Sequence, residues 1–235
     1  MARDPGFWWP EETIHAGREH FDEQHTRRYD AKEDAHAPEE VALLRELGVL
    51  DAGSCVVDLG AGTGQFTLAA APVCERVVAV DVSTLMLERL AEKLEAGAAQ
   101  NVEVVQAGFL TYRHAGPPAD LVYSRYALHH LPDFWKGIAL SRMAGMLRSG
   151  GALRLWDVVY GFEPGDADRH IEAWIAETAA DVERGWTRAE LAEHVRDEHS
   201  TFTWLLEPMI ERAGFDIVDA EYTGSVFARY LCRKR

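Results

Sequence analysis

The fold is decided by the stretch Val56-Val57-Asp58-Leu59-Gly60-Ala61-Gly62-Thr63-Gly64-Gln65-Phe66. Valines, an aspartate and a leucine lead into three glycines at alternate positions, and a helical apolar pattern begins at Phe66. Glycine permits positive φ and lets the backbone approach a ligand closely. The N-terminus of a helix offers free N–H groups and a partial positive charge, which favour a carboxylate or a phosphate. The stretch therefore predicts a buried strand, a tight turn and a ligand-binding helix N-terminus.

The spacing of the glycines separates this turn from two common nucleotide-binding turns. The dinucleotide fingerprint is G-x-G-x-x-G, whereas Gly60, Gly62 and Gly64 stand at every second position. A P-loop also needs Gly-Lys-Ser/Thr, which this turn lacks. The pattern Asp58-x-Gly60-x-Gly62-x-Gly64 resembles motif I of the class I S-adenosylmethionine-dependent methyltransferases.

The next predicted strand is a second test of this resemblance. It is the apolar run Arg76-Val77-Val78-Ala79-Val80-Asp81, which ends in an aspartate. In Rossmann-type sheets, an acidic residue about 20 residues beyond the glycine turn accepts hydrogen bonds from ribose hydroxyls. We therefore predict that Asp81 binds the ribose, in preference to the alternative that it only shapes a turn. Ser83 is expected to cap the following helix.

Composition predicts one α/β domain with appended helical segments. The chain has 235 residues, of which 47% are hydrophobic, enough for a sizeable core. No apolar stretch is long enough to span a bilayer, and residues 1–9 lack the apolar region of a signal peptide. The cysteines Cys55, Cys74 and Cys232 form no C-x-x-C pattern, so we expect buried free thiols in the cytoplasm.

The net charge of −15 disfavours a polyanionic partner, because nucleic-acid phosphates are bound by Lys and Arg. The short basic clusters at 27–28 and 233–235 are expected to be solvated. We predict no nucleic-acid partner and no membrane partner. A monomer and a homodimer both remain open.

The later strands predict the rest of the fold. Strands are expected at 102–106, 120–124 and 152–160, followed by 215–222 and 226–232. The last two are joined by only three residues, so they must form an antiparallel hairpin. The resemblance implies a Rossmann-like, seven-stranded, mostly parallel sheet with an antiparallel last strand and helices on both faces. An ordinary dehydrogenase sheet lacks that antiparallel strand.

The resemblance also divides the chain into regions. Residues 1–37 are predicted to form an N-terminal helical lid. Residues 38–235 are predicted to form the methyltransferase domain, with a helical substrate-cap insertion at about 161–206. A helix that ends at Ser149-Gly150-Gly151 is expected before the fifth strand, and Thr187 with Glu190 predicts a capping box.

The third strand departs from the family's pattern. In the family this strand often ends in Gly-Asp, and the acid bonds to the adenine amino group, but Ala107-Gly108 stands here. The backbone at Gly108 and the ring of Phe109 are then left to hold the base, because a flat ring can stack without a charged partner. The alternative for Phe109 is a core anchor, and the sequence favours neither.

The stretch Ser124-Arg125-Tyr126-Ala127-Leu128-His129-His130-Leu131-Pro132-Asp133 resembles motif IV of the small-molecule branch, of methyltransferase type 11/25. Open α/β sheets bind ligands at the carboxyl ends of their strands, so residues 124–127 should line the cofactor and the methyl acceptor. If the acceptor is a hydroxyl, a base must take its proton; the candidates are His129, His130 and Tyr126. The alternative for the histidines is a helix cap and packing against the sheet.

The resemblance implies S-adenosyl-L-methionine as the cofactor and S-adenosyl-L-homocysteine as the product. Asp58 would orient the turn and reach the methionine amino group, the three glycines would admit the cofactor, and Val82 would lie against the adenine. Tyr29 or His20 would touch the methionine end or pack under the lid. We predict no metal, since His170, His194 and His199 lack tight ligand spacing. The implied cofactor-binding residues are Tyr29, Asp58, Gly60, Ala61, Gly62, Gln65, Asp81, Val82, Gly108, Phe109, Ser124 and Arg125.

The predicted function is therefore methyl transfer to an oxygen, nitrogen or carbon of a small molecule. One alternative is a nicotinamide-dependent oxidoreductase, against which the glycine spacing and the terminal hairpin count. A second is a non-catalytic S-adenosylmethionine-binding regulator, which the absent acid near Gly108 favours. A third is a protein or RNA acceptor, and the acidic composition opposes RNA.

Overall fold

The computed structural model of the chain describes residues 8–15, 36–97, 99–181 and 185–235. These residues form an eight-stranded sheet surrounded by helices. The strands are β1 (Cys55–Leu59), β2 (Arg76–Asp81), β3 (Val102–Gln106), β4 (Ala119–Arg125), β5 (Leu147–Tyr160), β6 (Thr201–Phe202), β7 (Phe215–Thr223) and β8 (Phe227–Lys234). The helices are α1 (Glu12–His15), α2 (Ala37–Glu46), α3 (Gln65–Ala70), α4 (Thr84–Gly97), α5 (Asp133–Met146), α6 (Ala167–Ala180), α7 (Arg188–Asp197) and α8 (Thr203–Arg212).

The sheet order is β3-β2-β1-β4-β5-β8-β7, and the short β6 pairs with β5. The pairs among β1 to β5 are parallel, whereas β8 runs antiparallel to both β5 and β7. The predicted fold class, including the antiparallel last strand, is confirmed. The register pairs Asp58 with Ala79 on one side and with Tyr123 on the other, so the carboxyl ends of these strands share one edge.

Alternate residues of the central strands face two apolar clusters. Val56 and Val77 pack with residues of α2 and α3. Their neighbours Val57 and Val78 pack with residues of α5 and α8. Because successive side chains of a strand point to opposite faces, this alternation covers both faces of the sheet with helices. On one face, the buried Arg154 of β5 also pairs its Nε with Glu40 Oε1 of α2 at 2.5 Å.

The prediction for residues 147–151 is wrong. Helix α5 ends at Met146, and β5 begins at Leu147 and continues through Ser149-Gly150-Gly151 to Tyr160. Leu147 pairs with Ala119 of β4, and the Nζ of Lys234 donates a hydrogen bond to its carbonyl at 2.6 Å. Contacts with β4 and β8 thus extend β5 across Gly150 and Gly151. By themselves these glycines are typical of a helix end.

The segment predicted as a substrate cap contains α6 and α7. Its apolar residues Phe162, Trp174 and Leu191 pack in one cluster with Val158 and Tyr160 of β5. The predicted capping box is confirmed, since Thr187 and Glu190 exchange side-chain and backbone hydrogen bonds at the start of α7. These two helices therefore lie at the carboxyl end of β5.

The predicted free thiols are confirmed, although Cys55 is only half-buried. Along the described ranges, every helix is too short or too polar to cross a membrane. The residues Tyr29 and His20, predicted to touch the methionine end of the cofactor, lie outside the described residues.

Candidate active site

The turn after β1 is held against the end of β2 by its own backbone. Gly60 and Ala61 donate their N–H groups to the carbonyl of Val80 at 2.8 and 3.0 Å. Gly60 has a φ of +76°, and a Cβ there would lie 2.3 Å from the Cβ of Ala127. Glycine is therefore required by the backbone conformation and by the close approach of the loop after β4.

Gly64 makes room for a neighbouring helix. It precedes α3 with a φ of +85°, and a Cβ there would lie 2.2 Å from Leu90 Cδ1 of α4. The missing side chain makes room for helix packing, as the third glycine does in dinucleotide-binding turns. The structure thus gives Gly64 a packing role, and the predicted approach of the cofactor stays a prediction.

A pocket opens at the carboxyl ends of β1 and β4. It contains six of the predicted cofactor-binding residues: Asp58, Gly60, Ala61, Gly62, Gln65 and Arg125. It also contains four residues that the sequence argument missed: Ala37, Thr63, Phe66 and Tyr123. Tyr123 pairs with Asp58 in the sheet, a relation that only the strand order reveals. Its ring stacks on that of Phe66 with 3.5 Å between the centroids.

Asp58 is the buried carboxyl group of this pocket. Its Oδ2 accepts a hydrogen bond from Thr67 Oγ1 at 2.6 Å, and its side chain is 2% exposed. Burial raises the pKa of Asp58 to about 7, against the hydrogen bond from Thr67, and the nearby Asp81 carboxylate adds to the rise. The charge of Asp58 therefore changes near neutral pH, and a charged ligand in the pocket would shift its pKa.

Asp81 organises the turn. Its Oδ2 accepts the N–H of Gly62 and its Oδ1 accepts the N–H of Ser83, each at 2.8 Å. Ser83 in turn caps α4 by accepting the N–H of Met86 at 3.2 Å, as predicted. Both carboxylate oxygens of Asp81 thus bond to backbone N–H groups at the end of β2 and at the glycine turn. Val82, predicted against the adenine, is half-buried beside Asp81.

An acid from the N-terminal region lies at Gly108. Glu12 accepts the backbone N–H groups of Leu110 and Thr111, both at 2.9 Å, and the hydroxyl of Thr111 at 2.7 Å. A Cβ on Gly108 would lie 2.3 to 2.7 Å from the carboxylate atoms of Glu12. The Glu12 carboxylate therefore fills the space that a side chain at position 108 would occupy, and burial raises its pKa. Phe109 belongs to the main apolar core, which favours the core-anchor alternative.

The loop after β4 carries the three predicted catalytic candidates in different surroundings. Tyr126 has a φ of +49° and packs its ring against those of Trp156 and Phe227, with centroids 5.6 and 5.9 Å away. His130 is half-buried, with its ring 4.3 Å from that of His129. His129 is 5% exposed.

His129 lies between two carboxylates. Its Nδ1 contacts Asp157 Oδ1, and its Nε2 lies 2.9 Å from Glu198 Oε2. Burial opposes a charge on the imidazole, but the two carboxylates outweigh this effect and raise the pKa of His129 to about 10. At neutral pH His129 therefore holds its proton, an arrangement that weighs against a general-base role. The alternative of a helix cap is not met either, since Pro132 is the N-cap of α5 and no side chain caps this helix.

Known proteins similar to this chain decide its family. The family described as "Methyltransferase domain" matches residues 56–151. An uncharacterized methyltransferase of Exiguobacterium sibiricum is 30% identical over 205 residues, which cover 85% of this chain and 89% of the relative. The chain belongs to the class I S-adenosylmethionine-dependent methyltransferases. This methyltransferase is also 31% identical over 179 residues to the uncharacterized protein YafE of Escherichia coli, covering 75% of this chain and 77% of the relative.

Solved structures share the fold of the methyltransferase. The magnesium protoporphyrin IX methyltransferase of Synechocystis with bound S-adenosylhomocysteine superposes with a TM-score of 0.68 at 18% identity, covering 96% of this chain and all (100%) of that chain. The N-methyltransferase NodS of Bradyrhizobium japonicum, also with S-adenosylhomocysteine, gives 0.63 at 16% identity and covers 92% and 95%. At these identities the likeness shows the fold alone.

Family membership confirms the predicted enzyme class and its cofactor, S-adenosylmethionine. The alternatives of a nicotinamide-dependent oxidoreductase and of a non-catalytic regulator are therefore excluded.

The pocket also fits a polar cofactor. Tyr123, which lines the pocket, has a buried Oη that lacks a hydrogen-bond partner in the part of the chain that the structure describes, and so does Ser124 Oγ, which lies outside the pocket lining. A buried hydroxyl without a partner is unfavourable, so a bound polar ligand would satisfy such groups.

Proposed function

We propose that the methyltransferase acts on a small-molecule acceptor bound between the carboxyl ends of β4 and β5 and the helices α6 and α7. One observation carries this proposal. Trp174 of α6 is 8% exposed, and its indole N–H has no hydrogen-bond partner among the described residues. Such a donor costs about 1–3 kcal/mol when it stays unpaired, so an acceptor oxygen or nitrogen would pair with it. A donor that is buried to this extent is inaccessible to a folded macromolecule.

The net charge of −15 supports the same acceptor class, because RNA and DNA are bound through Lys and Arg. The three unbridged thiols support a reducing compartment such as the cytoplasm. We infer a monomer or a homodimer, which sedimentation velocity would distinguish.

We assign the cofactor-binding roles as follows. S-adenosylmethionine supplies an activated methyl group on a sulfonium. Asp58 and Tyr123 would bind the polar methionine end, the backbone from Gly60 to Gly62 would lie against the ligand, and Asp81 would accept the ribose hydroxyls. The Glu12 carboxylate would stand in for the acid that the family often has after the third strand. The remaining cofactor contacts would come from Gln65, Ser124 and Arg125.

Catalysis in this proposal depends mainly on positioning. Holding the acceptor in line with the reacting bond contributes up to about 7–11 kcal/mol to lowering the barrier. A hydroxyl acceptor also needs a base. His130 is the better candidate, because the two nearby carboxylates of Asp157 and Glu198 raise the pKa of His129 and keep its imidazole protonated.

Calorimetric titration with S-adenosylmethionine tests the cofactor roles. We expect saturable binding to the wild type and binding weakened by about 10–100-fold in Asp81→Ala, since the ribose hydroxyls and the Gly62 and Ser83 N–H groups lose their acceptor. Glu88→Ala, an exposed acid on α4, is the matched control and should bind as the wild type does. Equal affinity of Asp81→Ala and Glu88→Ala would contradict the role of Asp81.

Transfer of a labelled methyl group tests the acceptor class. The enzyme is incubated with labelled S-adenosylmethionine and a cell extract, which is then separated into small-molecule, protein and nucleic-acid fractions. We expect the label in small molecules, and a higher acceptor KM for Trp174→Phe with unchanged cofactor affinity. Label confined to protein or nucleic acid would overturn the small-molecule proposal.

A further inference from the structure

A buried cluster of two imidazoles and a carboxylate lies at the carboxyl ends of β4 and β5. His129 comes from the loop after β4, whereas His194 and Glu198 come from the C-terminal end of α7. Each of these residues offers one ligand atom, and all three atoms lie within 4.8 Å of one another. Three side chains from two distant segments therefore converge on one small volume.

One oxygen of this cluster is left without a hydrogen bond. Glu198 Oε2 lies 2.9 Å from His129 Nε2 and 2.5 Å from His194 Nδ1. Despite these short distances, Oε2 is buried and has no hydrogen-bond partner among the described residues. The two nitrogens thus approach the oxygen without hydrogen-bond alignment. Buried carboxylate oxygens are normally satisfied by a donor or a cation.

Outer contacts fix the orientation of both imidazoles. Nδ1 of His129 is bonded to Asp157, which directs Nε2 towards Glu198. The other oxygen of Asp157 accepts the backbone N–H of His129 at 3.0 Å. Nε2 of His194 lies 3.0 Å from Ser200 Oγ, which directs its Nδ1 to the same point. A carboxylate or hydroxyl on the far nitrogen of each histidine is the arrangement found behind metal-ligating histidines.

We propose that His129, His194 and Glu198 bind one divalent transition-metal ion of the zinc class. Two imidazoles and a carboxylate suit Zn²⁺, and the set resembles three-ligand sites with a fourth position open to water. The carboxylates of Glu198 and of Asp157, which contacts His129, would balance the charge of a divalent ion.

The ion would connect the cap to the sheet. The N–H of His199, next to Glu198, donates to the carbonyl of His129 at 2.9 Å, so the two segments already meet at this point. Metal binding at the cluster would fix α7 against the loop after β4. This structural role of the ion requires neither the cofactor nor the methyl acceptor, so it can be tested independently of the proposed function.

Titration of chelator-stripped protein with Co²⁺ tests the site. Four-coordinate Co²⁺ absorbs visible light, so we expect an absorption band that saturates at one equivalent and disappears when Zn²⁺ is added. Glu198→Gln and His194→Gln should weaken Co²⁺ binding by about 10–100-fold or more. His36→Gln removes an exposed imidazole outside the cluster and should bind as the wild type does.

A second measurement uses the wild type alone, in case a cluster variant fails to fold. We expect Zn²⁺ to raise the melting temperature of the stripped protein, because an ion that binds only the folded state stabilises it. A wild type with neither the Co²⁺ band nor the Zn²⁺ effect would overturn the proposal. A band that is unchanged in Glu198→Gln and His194→Gln would also overturn it, since the ion would then lie at other histidines.

Discussion

The glycine turn and the His129 cluster lie at the same edge of the sheet, yet they are built in opposite ways. The turn is continuous in sequence from Asp58 to Thr67, and the nearby Asp81 completes it. The cluster joins the loop after β4 to α7, and Asp157 near the end of β5 holds its His129 in place. The turn is thus defined by local backbone geometry, whereas the cluster exists only when distant segments meet. We therefore expect mutations in the turn and mutations in the cluster to change the stability of the protein in different ways.

The largest expected effect is in the cluster. Asp157→Ala removes one partner of the buried His129 imidazolium in metal-free protein, and we expect the free energy of unfolding to fall by about 3–5 kcal/mol. Urea unfolding measures it. Asp168→Ala, an exposed acid on α6, should stay within about 0.5 kcal/mol of the wild type. A loss below about 1 kcal/mol for Asp157→Ala would mean that the ion pair does not hold the loop.

The turn should respond to added volume. Gly60→Ala and Gly48→Ala both put a side chain at positive φ, with a cost of about 1–2 kcal/mol each. Only Gly60→Ala also meets Ala127, which adds about 1–3 kcal/mol, because no atom lies within 4 Å of a Cβ at Gly48. Thermal unfolding of both variants isolates the contact. Equal losses would show that the loop after β4 moves away freely.

Variants at Glu12 and Gly108 test whether a carboxylate at position 108 can replace the distant carboxylate of Glu12. Glu12→Ala should lose about 1–3 kcal/mol, because the N–H groups of Leu110 and Thr111 lose their acceptor. Gly108→Asp alone should also destabilise, since its side chain overlaps Glu12. In the double variant the new carboxylate fits the vacated space, and part of the stability should return. Additive losses measured by urea unfolding would contradict this shared space.

The turn should also show a pH dependence of its stability. The pKa of Asp58 is raised from 3.8 to about 7, so between these values the folded state holds a proton that the unfolded state has lost. Stability contributed by this proton is complete below pH 3.8 and is lost as the pH rises to about 7, by up to about 1.4 kcal/mol per pH unit. Asp58→Asn should remove this slope. The same slope in Asp58→Asn would assign it to another group.

Local patterns predicted most of the fold and six of the ten residues that line the pocket. Runs such as Val77 to Val80 are apolar at every position, which is typical of strands buried on both faces. The short link before β8 required a hairpin. The prediction that the helix continues through Leu147 to the glycines was wrong, because Leu147 pairs with Ala119 of β4 and begins β5. The packing role of Gly64 was also not predicted, since Leu90 approaches it from another helix.

The sequence by itself determined the sheet, the glycine turn and the family, because these depend on residue spacing and on backbone preferences that act over a few residues. Only the tertiary structure decided that Glu12 fills the place of the absent acid at Gly108, 96 residues away in the numbering. It alone also joined His129 to His194 and Glu198. Such contacts are fixed by which segments pack together, and no local spacing records that choice.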